Sequence, residues 1–495
     1  MTRTSAKKLI ADVLDPGSFQ SWDQTPQYRN ISEEYRASLA RAREKSGVDE
    51  SVVTGEGSID GKRVAVVLSE FSFLGGSIGA ATARRIIDGI HRATDEGLPL
   101  LISPSSGGTR MQEGTPAFAL MVSITTAVYR HKDAHLPFMV YLRNPTTGGV
   151  MASWGSAGHI TYAEPDALLG FLGPRVVELT TGRSIPAHIQ SGEHLSEKGV
   201  IDGVIPPEQL RVSVSKLMRI LAAPGPHELE ATAEVQTVGG EAPNAWESIV
   251  QTRKHDRPGF SHVLAAIGED NVIELSGSGD GRTSTAIRIA LARLHNKPVV
   301  LIGQDRHQQP PIGEVEMGTE ALRVARRGIQ LAHELQIPLI SVVDTPGAEL
   351  SAEAEEHAMA GSIARTLSEL VSVDVPTVSV ILGQGCGGGA LAMLPADIVL
   401  CAEHGWLSPL PPEGASAIIY RDTEHAPAMM EKQGVQAAQL LKAGVVDRIV
   451  PEQDDLVESV LAHTEKALWD LETAPQRVGR EQRMRHYELL ADRLS

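Results

Sequence analysis

Residues 136–154 read LPFMVYLRNPTTGGVMASW, and residues 375–393 read VPTVSVILGQGCGGGALAM. Each opens on an aliphatic residue and a proline, runs on through a short apolar stretch, and ends with paired glycines before small side chains. An apolar run of that length, bounded by proline and glycine, suits a strand buried on both faces. The step from Pro137 to Pro376 is 239 residues, and the pairs Pro99 and Pro338, Gly149 and Gly388, and Glu164 and Glu403 keep it. GVIDGVIP from Gly199 returns as GVVDRIVP from Gly444 at a step of 245, which a six-residue difference in one loop explains. Landmarks of unrelated chemistry at one spacing mark an internal duplication.

Around these two stretches, each half reads as repeated strand–turn–helix units. VAVVL (64–68), PLLIS (99–103) and PFMVYL (137–142) are the predicted strands of the first half. The stretches 81–94 and 319–335 carry apolar residues at three-to-four spacing and predict amphipathic helices. Residues 222–244 are rich in Pro, Gly, Glu and Ala without an apolar period, and read as a linker between domains 1–221 and 245–495. The first 50 or so residues and the last 35 or so are charged and read as peripheral or interface-forming helices.

The 495 residues carry 45 Lys and Arg against 62 Asp and Glu, a net charge of −17. That balance argues against a nucleic-acid groove, while leaving room for a local basic patch facing a phosphorylated ligand. Two cysteines, Cys386 and Cys401, do not supply a four-cysteine zinc ribbon, so no metal is expected. The N-terminus lacks the apolar core of a signal peptide, and the expected location is cytoplasmic.

Three tempting motifs carry little weight. GQGCGG (383–388) satisfies a dinucleotide fingerprint, but its repeat partner NPTTGG keeps only the final two glycines. GGSIG (75–79) satisfies the nucleophile-elbow pattern without a favoured downstream acid and histidine. The histidines His159, His333, His357 and His404 fall near interesting segments in no metal-binding spacing.

What remains is a set of glycine-rich turns: Ser106–Arg110, Thr147–Val150, Asp344–Gly347 and Gly387–Ala390. Glycine lets main-chain N–H groups face a cleft with no Cβ in the way, and a helix N-terminus behind such a turn adds positive potential. Two amides aimed at one point make an oxyanion hole.

At these residues the chain resembles the carboxyltransferase component of acetyl-CoA carboxylase, with the bacterial beta and alpha subunits joined in one chain. EFSFLGGSIG (70–79), SPSSGGTRMQEG (103–114), PTTGGVMASW (145–154), AEPDALLGFLGPRVVE (163–178) and EKGVIDGVI (197–205) resemble the beta subunit. PLISVVDTPGAE (338–349), AEEHAMAGSIARTLSEL (354–370), VPTVSVILGQGCGGGALAM (375–393) and PPEGASAI (411–418) resemble the alpha subunit. The resemblance implies an α/β fold of two crotonase-like ββα superhelical domains, and transfer of CO2 from carboxybiotin on a carrier protein to an acyl-CoA. It implies catalytic roles for Gly148 and Gly149 toward the thioester oxygen and for Gly388 and Gly389 toward the ureido oxygen of biotin. Gly107, Gly108, Arg110, Gly347 and Gly387 are the implied substrate-binding residues, with Arg110 either positioning a ligand or bracing its loop. Arg175 and Arg183 are the candidates for the CoA 3′-phosphate.

The same resemblance implies that biotin itself takes the α-proton, so that the chain needs no general base. It further implies a homodimer or larger assembly, in which the acyl-CoA half of one chain faces the biotin half of another. A biotin carboxylase and a biotin carboxyl carrier protein are the implied partners, and acetyl-CoA, then propionyl-CoA, the implied substrates. The chain departs from the family in lacking the zinc finger, in the loop 303–322, and in Glu349, where an aromatic residue is usual. A malonyl-thioester decarboxylase, a hydratase and a non-catalytic scaffold subunit are the alternatives.

Overall fold

The computed structural model describes residues 3–29, 31–223, 235, 242–309, 317–452, 455–474 and 478–494. Most of the expected linker and part of the loop 303–322 lie outside them. The chain forms two compact units, Met1–Arg219 with Gly279–Gly281, and Ile220–Ser278 with Arg282–Ser495.

The first unit is built on a seven-stranded sheet. A short edge strand β1 (Gln20–Ser21) pairs antiparallel with β2 (Val52–Ile59), and β2 forms a hairpin with β3 (Lys62–Ser69). β4 (Leu100–Ser103), β5 (Phe138–Leu142), β7 (Ile160–Ala163) and β9 (Gly203–Val204) extend the sheet, each parallel to its predecessor. β6 (Thr146–Thr147) and β8 (Leu169–Gly170) form a separate parallel pair. The parallel strands read as continuous apolar runs because helices cover them. α3 (Ala80–Asp95) crosses from β3 to β4 and α4 (Gly114–Asp133) from β4 to β5, and both contribute to the core around Ile86, Ile90, Ile124 and Val128.

The second unit repeats the plan. β10 (Val272–Leu275), β11 (Ile287–Leu294) and β12 (Lys297–Gln304) are antiparallel neighbours. β13 (Leu339–Thr345), β14 (Thr377–Cys386), β15 (Ile398–Ala402) and β17 (Arg448–Val450) follow in parallel, and β16 (Trp406–Ser408) pairs with β14. The duplication reaches the register. Leu100 faces Phe138 in the first sheet, and Leu339 faces Thr377 in the second. The helix predicted over 319–335 forms over Thr319–Leu335, burying Leu322, Ala325, Ile329 and Ala332.

The terminal helices, expected to be peripheral or interface-forming, each bury one face. α1 (Ala6–Val13) buries Ala6, Leu9 and Val13, and α2 (Glu33–Ser46) buries Tyr35, Leu39 and Ala42. At the other end, the Arg483 guanidinium is fully buried and donates to the carbonyls of Leu370, Val373 and Val375 and to Asp397. The charged residues that dominate these segments lie on outward faces. A narrow apolar or arginine face does the packing.

Candidate active site

In the first unit the turn after β4 and the turn after β6 meet. Gly108 has φ +112° and Gly148 φ +68°, conformations that side chains with a Cβ rarely adopt. A Cβ on Gly148 would lie 3.2 Å from the Gly108 Cα, so the two main chains touch. The Gly108 amide donates to Ser106 Oγ at 3.0 Å, and the Gly107 amide to the Gly75 carbonyl at 3.0 Å. Thr147 N–H donates to the Ser106 carbonyl, tying the second turn to the first.

The sequence points to Gly148 and Gly149 as a pair of donors, and the structure separates them. The Gly148 amide donates to the Phe171 carbonyl at 2.9 Å. Its glycine serves the turn and its N–H is taken. Among the described residues no group accepts from the amides of Thr109 and Gly149. These two sit side by side: a Cβ built on Gly149 lies 3.6 Å from Thr109 Oγ1. Thr109 is the donor that sequence reasoning passed over. The signal available was its place directly after the doublet Gly107-Gly108.

The second unit holds the same arrangement one repeat step on. Gly347 has φ +143° and Gly387 φ +64°. The Gly347 amide donates to Thr345 Oγ1 at 3.2 Å, as Gly108 does to Ser106. The amides of Ala348 and Gly388, counterparts of Thr109 and Gly149, likewise find no acceptor among the described residues. Gly388 and Gly389 open a short helix, Gly387–Leu391. Cβ atoms there would come within 2.8 Å of Ile363 Cδ1 and 2.8 Å of Met317 Cε respectively. Gln304, fully buried at the end of β12, joins the two turns: its Nε2 donates to the Gly389 carbonyl at 2.8 Å and its Oε1 accepts from the Asp344 amide at 3.1 Å.

Asp344 stands beneath this second cradle. Its Oδ1 accepts from the Gln384 amide at 2.9 Å, its Oδ2 has no hydrogen-bond partner, and Arg306 Nε is 4.0 Å away. Burial raises its carboxyl to about 7.

Arg110 is committed inside the first unit. It is 0% exposed, and so is Glu50. Its Nη1 donates to Glu50 Oε2 at 3.0 Å and to Tyr35 Oη, and its Nη2 to Glu50 Oε1, Ser51 Oγ, Thr82 Oγ1 and the Ser77 carbonyl. Burial works against the Glu50 carboxylate, but Arg110 outweighs it and holds that carboxyl below its ordinary value. These bonds tie the loop that carries Arg110 to Glu50, Ser51 and Thr82. Ser77, the serine of the elbow-like motif, donates to the Leu74 carbonyl at 2.8 Å and accepts from Arg110 Nε. Arg175, on the helix Pro174–Thr181, and Arg183 are exposed. Among the described residues no three His, Cys, Asp or Glu side chains gather as a metal site, and no helix is long and apolar enough to cross a membrane.

The carboxyl transferase domain family matches residues 3–482. The probable biotin-dependent acyl-coenzyme A carboxylase beta3 subunit of Mycobacterium tuberculosis is 51% identical over 463 residues, which covers 92% of this chain and 91% of that one. The acetyl-coenzyme A carboxylase carboxyl transferase subunits beta/alpha of Salinispora arenicola are 33% identical over 516 residues, 98% of this chain and 91% of that one. Among solved structures, the transcarboxylase 12S hexamer with methylmalonyl-coenzyme A and methylmalonic acid bound superposes with a TM-score of 0.74 at 21% identity, over 95% of this chain and 90% of that one. The shared fold is crotonase-like, and this chain carries it twice.

Proposed function

The chain belongs to the carboxyl transferase domain family, and on that premise we propose that it is the carboxyltransferase component of a biotin-dependent acyl-CoA carboxylase. Acetyl-CoA is the first choice of substrate and propionyl-CoA the second. The observation that carries this reading is the twinned pair of unpartnered amides, Thr109 with Gly149 and Ala348 with Gly388, at one repeat step.

When docked by its carrier protein, biotin supplies the activated carboxyl group and the proton acceptor. The residues of this chain supply fixed dipoles. As an acyl-CoA loses its α-proton, charge develops on the thioester oxygen, and the Thr109 and Gly149 N–H groups stabilise it. Ala348 and Gly388 do the same for a urea-type oxygen, a group for which two free donors are a fitting receptor. Loss of one such donor costs about 2.7–4 kcal/mol of transition-state stabilisation. Gly148 and Gly387 shape the turns, Gly107 and Gly108 line the acyl side, and Gly347 and Gly389 let the loops of the second cradle approach closely, a Cβ on Gly389 lying 2.8 Å from Met317 Cε. Arg110 and Gln304 keep the loops in register. The assembly we propose is a homodimer or larger, working with a biotin carboxylase and a biotin carboxyl carrier protein.

The test is the reverse reaction. Pure protein is incubated with biocytin and either malonyl-CoA or methylmalonyl-CoA, and release of acetyl-CoA or propionyl-CoA is followed. Biocytin-dependent release is the expected result, faster with malonyl-CoA. No release with either substrate from a folded sample sinks the proposal and favours a scaffold subunit.

A further inference from the structure

The loop 303–322, where the chain departs from the family, contributes one further side chain to the second cradle: Gln309, half-buried. It reaches the Asp344–Gly347 turn with both ends of its carboxamide. Its Nε2 donates to the Asp344 carbonyl at 3.1 Å, and its Oε1 accepts from Thr345 Oγ1 at 2.7 Å. Asp344 and Thr345 are both 0% exposed, so bulk water replaces neither bond.

Chemistry fixes the direction of each bond. A main-chain carbonyl only accepts, so the nitrogen of Gln309 faces Asp344 and its oxygen faces Thr345. A carboxamide oxygen also only accepts, so Thr345 directs its one hydroxyl proton to Gln309. Thr345 Oγ1 is then an acceptor toward its own turn, and it takes the Gly347 amide at 3.2 Å. The Gly347 carbonyl, 3.1 Å from the same hydroxyl, is the competing acceptor, as the Gly108 carbonyl is for Ser106 Oγ at 3.4 Å in the first unit. With Gln309 in place, the shorter bond holds the proton away from the turn and the Gly347 N–H stays occupied. The next amide along the chain is that of Ala348, which finds no acceptor among the described residues. Two glutamines thus clamp the main chain of Asp344, Gln304 at its N–H and Gln309 at its C=O.

We propose that Gln309 is a positioning residue for the biotin side of the reaction: it fixes the Asp344–Gly347 turn so that the Ala348 amide meets the urea-type oxygen. The assignment rests on the reading of Ala348 and Gly388 as the receptor for that oxygen.

The experiment follows the reverse reaction with biocytin and malonyl-CoA, and measures CoA affinity by calorimetry. The full chains compared are the wild type, Gln309→Leu, Gln309→Glu and Gln308→Ala, the last an exposed neighbour. Thermal unfolding checks that all four are folded. Gln309→Leu is expected to lower kcat/KM for biocytin about tenfold or more, since two hydrogen bonds to buried groups are lost. Its CoA affinity stays unchanged, and Gln308→Ala matches the wild type. Gln309→Glu accepts from Thr345 in either protonation state, but donates to the Asp344 carbonyl only when protonated. Its turnover relative to the wild type at the same pH therefore recovers as the pH is lowered from about 8 to about 5. Reading the ratio sets aside Asp344 and the charges of Arg306, Arg257 and Asp305 around it, which both proteins share. A ratio independent of pH overturns the proposal, and so does a folded Gln309→Leu variant with the kcat/KM of the wild type. Equal loss of CoA affinity and biocytin turnover in Gln309→Leu assigns the residue to general stability and overturns it as well. No turnover by the wild type overturns the carboxyltransferase reading beneath it.

Discussion

Arg110 and Asp344 show how burial divides the labour of charged residues. Arg110 is surrounded by acceptors of its own chain, so its removal leaves Glu50 as an uncompensated buried charge. Breaking such a pair costs about 3–5 kcal/mol. We predict that Arg110→Ala lowers chemical-denaturation stability by that order. Loss of CoA affinity with stability unchanged would return Arg110 to the ligand. Asp344 is the opposite case, a buried carboxyl with one oxygen lacking a hydrogen bond. Its folded value of about 7 stands above the ordinary 3.8. Between those values the folded chain keeps a proton that the unfolded chain has released, so this residue's contribution to stability falls as pH rises through that window. Asp344→Asn is predicted to flatten the fall, seen as a smaller loss of unfolding free energy between pH 5 and 8. An unchanged pH profile would contradict the burial argument.

Among the elements, the parallel strands and the long crossover helices were legible from sequence because burial on a sheet or a helix face leaves a period. β5 and β14 were readable as proline-bounded apolar runs, and Thr319–Leu335 as a three-to-four stripe. The terminal segments were legible as helices but their buried faces were not, because Leu9 and Val13, or Leu39 and Ala42, are few among their charged neighbours. The candidate site was legible as a set of glycines. Which amides stay free was not, since a Gly148 N–H taken by the Phe171 carbonyl depends on a contact 23 residues away. Gln304 carried no sequence signal at all, yet it links the end of β13 to the helix Gly387–Leu391. Gln304→Leu leaves a buried N–H and a buried C=O unpaired, at about 1–3 kcal/mol each. We predict a raised KM for biocytin or a reduced kcat, with CoA affinity retained. A variant that loses both affinities equally would place Gln304 in general stability instead.

At the scale of the molecule, one duplicated plan places a pair of main-chain amides without an acceptor among the described residues in each of two compact units, and we propose that both pairs are oxyanion receptors. Carboxyl transfer needs that doubling. One oxygen gains charge as the donor releases its carboxyl group, another as the acceptor forms a nucleophile, and each requires donors fixed before the reaction begins. A hydrolase or hydratase needs one such receptor plus an acid or base, and the elbow-like Ser77 is spent on its own loop.

The most direct measurement sets Gly149→Val beside Gly388→Val and reads two quantities from each, acyl-CoA affinity and biocytin-dependent release of acyl-CoA in the reverse reaction. The account predicts that Gly388→Val loses release while binding acyl-CoA as the wild type does, and that Gly149→Val loses acyl-CoA affinity together with turnover. Equal damage to both quantities in both variants, from folded proteins, would contradict two separate receptors.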